Sequence, residues 1–426
     1  MCRSYGFRST WTRDGANREV LLESGTVRFL ISQRSGEKPK IEEEGTYPWI
    51  NCKCRDESTH SVDSVFNVCL EVGDVDKVCR NMNSHGATIL SPPRTIVSRD
   101  GEIRVAVVTS PCENVVHSLV NTSSYSGHFL PGFRSTGSAA PGTEPEDVSM
   151  DHVTYVCRIG ESQNILSWYK DCCGMERFMV NSDDDPEDGI VIRDEAGMRM
   201  MVGEWMSEWM CREEGVEWIG DRSVGASQDK RNFKLVLAEP LPHHDHSHVN
   251  SFIREHGGPG LQHIGLLTPD IVSKVTCLTE RGARFRSPPP TYYSLPNKQE
   301  EIRQVGADPE IFRTLGILID KEPGCESEGG KHLYILQIFT HPIFSRDTFF
   351  LEQIQRHGSR GFGAGNIRAL AQSIIELARQ KQVQEESSRM AVTEKTKISE
   401  TTVGSRFGSE KTEISETLAS EERSLL

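Results

Sequence analysis

Residues 67–95 read NVCLEVGDVDKVCRNMNSHGATILSPPRT, and residues 263–291 read HIGLLTPDIVSKVTCLTERGARFRSPPPT. A shift of 196 positions lays one stretch on the other without a gap. Asp74 then meets Asp270, Gly86-Ala87 meets Gly282-Ala283, and Ser91-Pro92-Pro93 meets Ser287-Pro288-Pro289. Such self-similarity at a fixed spacing marks a duplicated structural unit. Each copy reads as a strand (VFNVCLEV, LQHIGLLT), a helix (DVDKVCRNMNSHG, DIVSKVTCLTERG) and a Gly-Ala return into further strands. A more diverged copy opens at Asp151 with DHVTYVCRI, followed by the helical SQNILSWYKDCCG and the strand-like ERFMV; NFKLVLAE and KHLYILQIFT also read as strands. The fold class this predicts is α+β, with βαβββ modules paired so that each buries one sheet face.

The organisation follows from that unit. Residues 1–133 form an N-terminal, non-catalytic barrel, and 134–150 (RSTGSAAPGTEPEDVSM) read as a linker. Residues 151–380 form a second barrel. After about Gln380 the chain turns polar and repeats itself (EKTKISETTVGS at 394–405, EKTEISETLAS at 410–420), which predicts a disordered tail over 381–426. The front is short of one strand and one helix, because Gly6-Phe7 already aligns with the turn that follows them. The first module should therefore be incomplete on its opening edge, and Arg3, Arg8, Arg13 and Arg18 read as hairpin residues rather than a transit peptide.

Composition narrows the partners. The chain has 426 residues and a formal charge of -14, with a pI near 5.5. That balance disfavours nucleic acid and anionic membranes as partners. No stretch approaches the roughly 20 apolar residues of a membrane span, and no apolar signal segment opens the chain. The 12 cysteines show no paired C-x-x-C spacing, so reduced, buried thiols are expected.

Three potential metal ligands sit where strands would place them: His152 in DHVTYV, His263 in GPGLQHIGL and Glu352 in DTFFLEQIQRHG. Both histidines occupy the opening strand of a module, so pairing the modules would bring them into one barrel. Two imidazoles and a carboxylate on one face leave open coordination positions, the arrangement of non-haem iron(II) oxygenases. A strand histidine alone is more often a hydrogen-bonded core residue. Asn67 stands where the first copy would have His263, however, so the fold does not require histidine there. A carboxylate inside an apolar strand, as at Glu352, is costly to bury without a cation.

At these residues a family resemblance becomes explicit. GPGLQHIGLLTPDI, LQIFTHPIFSRDTFFLEQIQRHG and GFGAGNIRAL resemble segments of 4-hydroxyphenylpyruvate dioxygenase and 4-hydroxymandelate synthase, of the glyoxalase-like vicinal oxygen chelate superfamily. GHFLPGF at 127–133 and KLVLAEPLP bring the match closer to the dioxygenase-like branch of that family in animals. The resemblance implies iron(II) with dioxygen as cosubstrate, a 2-oxo acid substrate and His152, His263 and Glu352 as metal ligands. It implies substrate contacts at Ser223 (in DRSVG), Gln262 and Gln337, and an aromatic wall of Phe339, Phe350 and Phe362. A homodimer, a mitochondrial setting (cytoplasm as the alternative) and a link to quinone head-group synthesis are also implied.

Three departures bear on the product. Ala238 stands where the dioxygenases usually have Asn, Asn250 where they have Gln, and Ile367 where they have Phe. The bacterial mandelate synthases likewise carry an apolar residue and Ile at the first and last of these. Losing a stacking ring and polar grips on the ring hydroxyl should let the substrate ring shift, and positioning of about an ångström can decide an outcome. The expected product is 4-hydroxymandelate. The rivals are homogentisate formation on the same ligands and a catalytically weak scaffold protein. HHDHSH at 243–248 reads as a solvated loop, EWMSEWM at 204–210 as packing, GFGAG at 361–365 as no phosphate loop, and Cys172-Cys173 as a helix end.

Overall fold

The computed structural model describes residues 4–14, 17–34, 47–51, 62–137, 148–179, 185, 187–193, 196–204, 233–244, 247–326, 332–370 and 372–373. The first half begins with an antiparallel meander of β1 (Arg8–Arg13), β2 (Asn17–Ser24) and β3 (Val27–Arg34). A βαβββ module follows: β4 (Asn67–Glu71), α1 (Val75–Ser84), β5 (Ile89–Ser98), β6 (Gly101–Thr109) and β7 (Val116–Asn121). A two-residue strand β8 (Arg134–Ser135) returns to pair with β1. The segment expected to link the halves is thus shorter at its front, and its middle, 138–147, lies outside the described residues, as does the tail over 381–426.

The second half contains two full modules. The first is β9 (Ser149–Val156), α2 (Ser162–Cys173), β10 (Glu176–Phe178), β11 (Ile190–Ile192), β12 (Met198–Glu204) and β13 (Lys234–Pro240). Helix α3 (His248–His256) leads into the second, which opens with β14 (Gly260–Leu267) and α4 (Ile271–Glu280). Two helices, α5 (Pro296–Gln304) and α6 (Pro309–Leu315), precede β15 (Leu318–Glu326), β16 (His332–Phe339) and β17 (Phe350–His357). Here the structure departs from the sequence reading, which ran straight from the Gly-Ala return into strands. Pro296 and Pro309 each sit in the first turn of a helix, where a missing N–H costs nothing, and Asp308 caps α6.

The sequence repeat is a repeat in three dimensions. Asp74 and Asp270 cap α1 and α4 with nearly identical backbones (φ -141, ψ 100 and φ -140, ψ 96), each accepting from a backbone N–H three residues on. Gly86 and Gly282 make the same left-handed turn, at φ 91 and 88, where a side chain would be strained.

The two halves differ in closure. In the second, β9 pairs parallel with β13 and antiparallel with β14, which joins both modules in the order β10-β12-β13-β9-β14-β17-β16-β15, with β11 on β12. In the first, the sheets β3-β2-β1-β8 and β4-β7-β6-β5 stay separate, ending at β3 and β4. A counterpart of β9 would lie between those two edges, and among the described residues no element precedes β1 to supply it. No described helix is long and apolar enough to cross a membrane.

A shared core ties the halves together. Val75, Val78, Met82 and Leu119 from the first meet Tyr155, Leu166, Tyr169 and Leu261 from the second, all buried. Each buried aliphatic side chain contributes roughly 1.5–3 kcal/mol. His117 lies within this core. Its Nδ1 donates to Val68 O at 3.0 Å and its Nε2 accepts from the Tyr169 hydroxyl at 2.8 Å. Burial pushes its pKa down to about 4. A folded-state value below the unfolded value of about 6.5 means that the unfolded chain takes up the proton first. Stability should therefore fall as pH drops from about 6.5 toward 4, this residue accounting for roughly 3 kcal/mol at the low end. Melting temperatures measured across that range should drop less steeply for His117→Gln than for the wild type.

Candidate metal centre

The inner face of β9 carries His152, that of β14 His263, and that of β17 Glu352. Strand β9 lies between β13 and β14, and β14 between β9 and β17, so the three ligands come from three consecutive strands. His152 Nε2 lies 3.4 Å from His263 Nε2 and 3.3 Å from Glu352 Oε2, and His263 Nε2 lies 3.7 Å from the same oxygen. His152 and Glu352 are buried at 2% and 1% exposure. The His263 side chain keeps 14% and marks the open side.

The far edges of both rings fix their tautomers. Asp151 Oδ1 lies 2.9 Å from His152 Nδ1, and Gln262 Oε1 lies 3.1 Å from His263 Nδ1. Both acceptors require a proton on Nδ1, so with the rings neutral both Nε2 atoms would present lone pairs to one another and to Glu352. Three electron-pair donors converging in a buried site repel each other unless a cation lies between them. The donor set of two neutral imidazoles and one carboxylate fits a divalent transition metal.

The charges around the centre support this. Burial raises the Asp151 carboxyl, but Arg356 outweighs it and holds Asp151 well below the usual carboxylate range. Both arms of that guanidinium lie 2.7 Å from the carboxylate. Burial, then the neighbouring His152, keep His263 well below the ordinary imidazole value, so it stays a neutral donor. His152 is pulled the other way: burial lowers it, and hydrogen bonds to Asp151 and Glu352 more than compensate. Positive charge is favoured at this point, which is where a metal ion would supply it.

Space is reserved as carefully. Gly265 is the cross-strand partner of His152, and a Cβ there would come within 2.5 Å of the imidazole. Phe350 stacks on the His263 ring at 4.8 Å, Phe339 meets Phe350 edge-on at 5.9 Å, and Phe362 meets His152 edge-on at 5.4 Å. Glu352 is held from behind: Gln337 Nε2 donates to Oε1 at 2.7 Å, Asn366 donates to Gln337, and the Tyr292 hydroxyl donates to Asn366.

Beyond the ligands, the described inner face is largely apolar, with Lys234 lying over the Phe178 ring at 5.5 Å. Val156, Phe178, Met198, Met200, Val236, Ala238 and Phe362 form one cluster, roofed by Val249, Phe252 and Ile253 of α3 and by Ile367 of the terminal helix 364–370.

The comparisons agree with the geometry. No family model matches the chain. It is 35% identical over 384 residues to the 4-hydroxyphenylpyruvate dioxygenase-like protein of Rattus norvegicus, covering 89% of this chain and 92% of the relative. The human protein of the same name gives the same figures. The chain belongs to the family of 4-hydroxyphenylpyruvate dioxygenase-like proteins. A 4-hydroxyphenylpyruvate dioxygenase from Neurospora crassa is 29% identical, over 83% of this chain and 80% of its own. Among solved structures, a triply substituted 4-hydroxymandelate synthase from Streptomyces coelicolor shares the fold, with a TM-score of 0.61 at 22% identity over 88% of this chain and 92% of that one. This is the vicinal oxygen chelate fold that the sequence predicted.

Within this family member, the expected site residues divide. The structure brings together His152, His263 and Glu352, with Phe339, Phe350 and Phe362 around them, and places Ala238 and Ile367 on the same apolar wall. Gln262 and Gln337, expected to contact the substrate, lie at the centre, where Gln262 hydrogen-bonds His263 and Gln337 hydrogen-bonds Glu352. Asn250 is set apart from the wall: its side chain donates to His244 O at 2.9 Å, while Val249, Phe252 and Ile253 form the inner face of α3. Ser223 lies outside the described residues, as does nearly all of EWMSEWM. In HHDHSH, His243 is exposed and His244 packs by Gly197, but the stretch is not the wholly solvated loop expected: Ser247 caps α3, and His248 opens that helix close enough to His263 to help lower its pKa. Asp151, Arg356, Tyr292 and Asn366 were missed. Asp151 had a visible signal as an acid beside a strand histidine; the others act across long sequence separations that no local pattern carries.

Two consequences are measurable. Asp151→Asn should weaken iron(II) binding about 10–100-fold by isothermal titration, since outer partners of this kind carry that much affinity. Gly265→Ala should displace the His152 ring and reduce metal binding at least as far, while the far-ultraviolet circular dichroism stays that of the wild type.

Proposed function

We propose that the chain is an iron(II)-dependent oxygenase that converts 4-hydroxyphenylpyruvate and dioxygen into 4-hydroxymandelate and carbon dioxide. The observation that carries the reading is the convergence of two lone-pair imidazoles and one carboxylate beside an apolar wall. Iron(II) bound there would supply a centre at which a 2-oxo acid and dioxygen meet, for oxidative decarboxylation followed by oxygen insertion.

The protein's own residues set the terms of that chemistry. His152, His263 and Glu352 would hold the metal and would leave positions on it open to the carboxylate and keto oxygens of the substrate. Gln337 engages Glu352 Oε1, which leaves Oε2 directed at the histidines. Asp151 and Gln262 hold the two rings so that no reorientation is needed when the metal binds. Phe362, edge-on to His152, and the apolar residues of α3 would shield the reacting carbon from water.

The product is decided further in. Ala238 and Ile367 lie in one cluster of apolar side chains. Without a stacking ring at Ile367 the aromatic end settles deeper and presents its benzylic carbon, rather than its ring carbon, to the insertion. The homogentisate-forming reading draws on relatives named as dioxygenases, and the same ligands would serve it. The mitochondrial setting and quinone head-group supply belong to this proposal as well.

Purified protein supplied with iron(II), dioxygen and 4-hydroxyphenylpyruvate should yield 4-hydroxymandelate as the main product by mass spectrometry. Ile367→Phe combined with Ala238→Asn should move the product ratio toward homogentisate by about tenfold, equivalent to about 1.4 kcal/mol between competing barriers. Homogentisate as the main wild-type product would transfer the case to the dioxygenase reading. Absence of turnover by iron-loaded, folded protein would transfer it to a scaffold role.

A further inference from the structure

Thr154 lies on the inner face of β9, two residues beyond His152, at 2% exposure. It is the direct cross-strand partner of His263 on β14 and of Val236 on β13. Directly opposed side chains on one sheet face lie about 4.5–5.5 Å apart at Cβ, so Thr154 adjoins a metal ligand on one side and the apolar wall on the other. Its hydroxyl is buried and has no hydrogen-bond partner among the described residues. A buried polar group without a partner is costly and is an exception that needs a reason.

The neighbours do not supply that reason. Both nitrogens of His263 are committed, Nδ1 to Gln262 and Nε2 toward the metal position. Val156 and Val236 offer only methyl groups. The apolar cluster needs no hydroxyl at this position, and valine would fill the same volume.

We propose that Thr154 is a specificity-determining residue that hydrogen-bonds an oxygen on the carbon joining the carboxylate to the aromatic ring of a bound ligand, as in a 2-hydroxy-2-arylacetate. The assignment to that carbon follows from position. Thr154 stands level with the metal ligands, where the chelating end of a ligand gives way to its ring, and the wall beyond it runs through Val156, Ala238 and Met200 toward the distal end. A ring hydroxyl would lie at that far end, out of its reach. This inference rests on the oxygenase reading of the site and adds to it a residue that favours the benzylic alcohol over the arylacetate lacking it.

The test uses the full chain loaded with cobalt(II), titrated calorimetrically with 4-hydroxymandelate and separately with 4-hydroxyphenylacetate. Thr154→Val should weaken 4-hydroxymandelate about tenfold and leave 4-hydroxyphenylacetate within about twofold. Thr154→Ser should retain most of the preference, and cobalt affinity should be the same in all three proteins. Thr154→Ala serves as a second hydroxyl-free variant should the valine protein fail to fold. Equal weakening of both ligands, or no change in either, would overturn the assignment while the oxygenase reading stands. A wild type that binds cobalt and neither ligand would overturn both.

Discussion

The antiparallel pairing of β9 with β14 is the contact on which the second half depends. It joins two modules into one sheet, and it is the only route by which His152 and His263, so far apart in the chain, come to share a face. The pairing is irregular on both sides of the site, with register shifts between Leu261 and His263 and between Gly265 and Leu266. Such bulges re-aim side chains next to functional sites. Here they set His263 against Thr154 and Gly265 against His152. A slip of one residue would turn His263 out of the barrel, and any side chain at Gly265 would take the space that the His152 ring fills.

The geometry of the ligands then dictates a second layer of buried polar contacts. Each ligand atom that faces the centre has a counterpart that faces away, and each of those is engaged. Asp151 is itself neutralised by Arg356, which also donates to the carbonyls of Ser359 and Gly361. The chain turns there toward Phe362 and the terminal helix. Glu352 is held through Gln337 and Asn366, and Asn366 belongs to that same helix. A Cβ at Gly363 would overlap the Gln337 amide, and Gly363 has a left-handed φ of 72, so glycine is doubly required. Two separate networks thus bind the segment after β17 to two of the three ligands. Fully satisfied networks of this kind rigidify what they hold.

Much of this was legible in the sequence because it rests on local rules. The Asp caps, the Gly-Ala returns and the spacing of the repeat are decided within a turn or two of chain, and the repeat carried His263 to its strand. The ligand set was legible because an acid in an apolar strand is unusual enough to need a reason. What escaped was long-range. Helices α5 and α6 interrupt a copy that otherwise follows its partner, and only their proline starts announced them. Gln262 and Gln337 were recognised as site residues, but whether an amide points at a ligand or at a metal-binding side chain is settled by packing. Asn250 shows the same limit: the face of α3 that it occupies follows from the docking of that helix.

The first half supplies the contrast that explains the second. Ser118 lies on β7 where β17 has Glu352, and Asn67 lies on β4 where β14 has His263. Asn67 Oδ1 accepts from Ser118 N and Oγ at 3.1 Å, a neutral pair that satisfies itself. The same parallel strand pairing therefore forms around a neutral set, and the charged set at the second site is a cost the fold does not need to bear. The first half contributes by holding β9. Thr26 N donates to Val148 O at 3.0 Å just before the strand begins. Just past its end, Arg158 pairs with Glu113, and the neighbouring Asn114 donates to Pro259 O at 2.7 Å as the chain enters β14. The strand that bears His152 is thus tied at both ends to the first half, and its partner is tied at its start. The half whose own sheets remain separate fixes the register in which the other half closes.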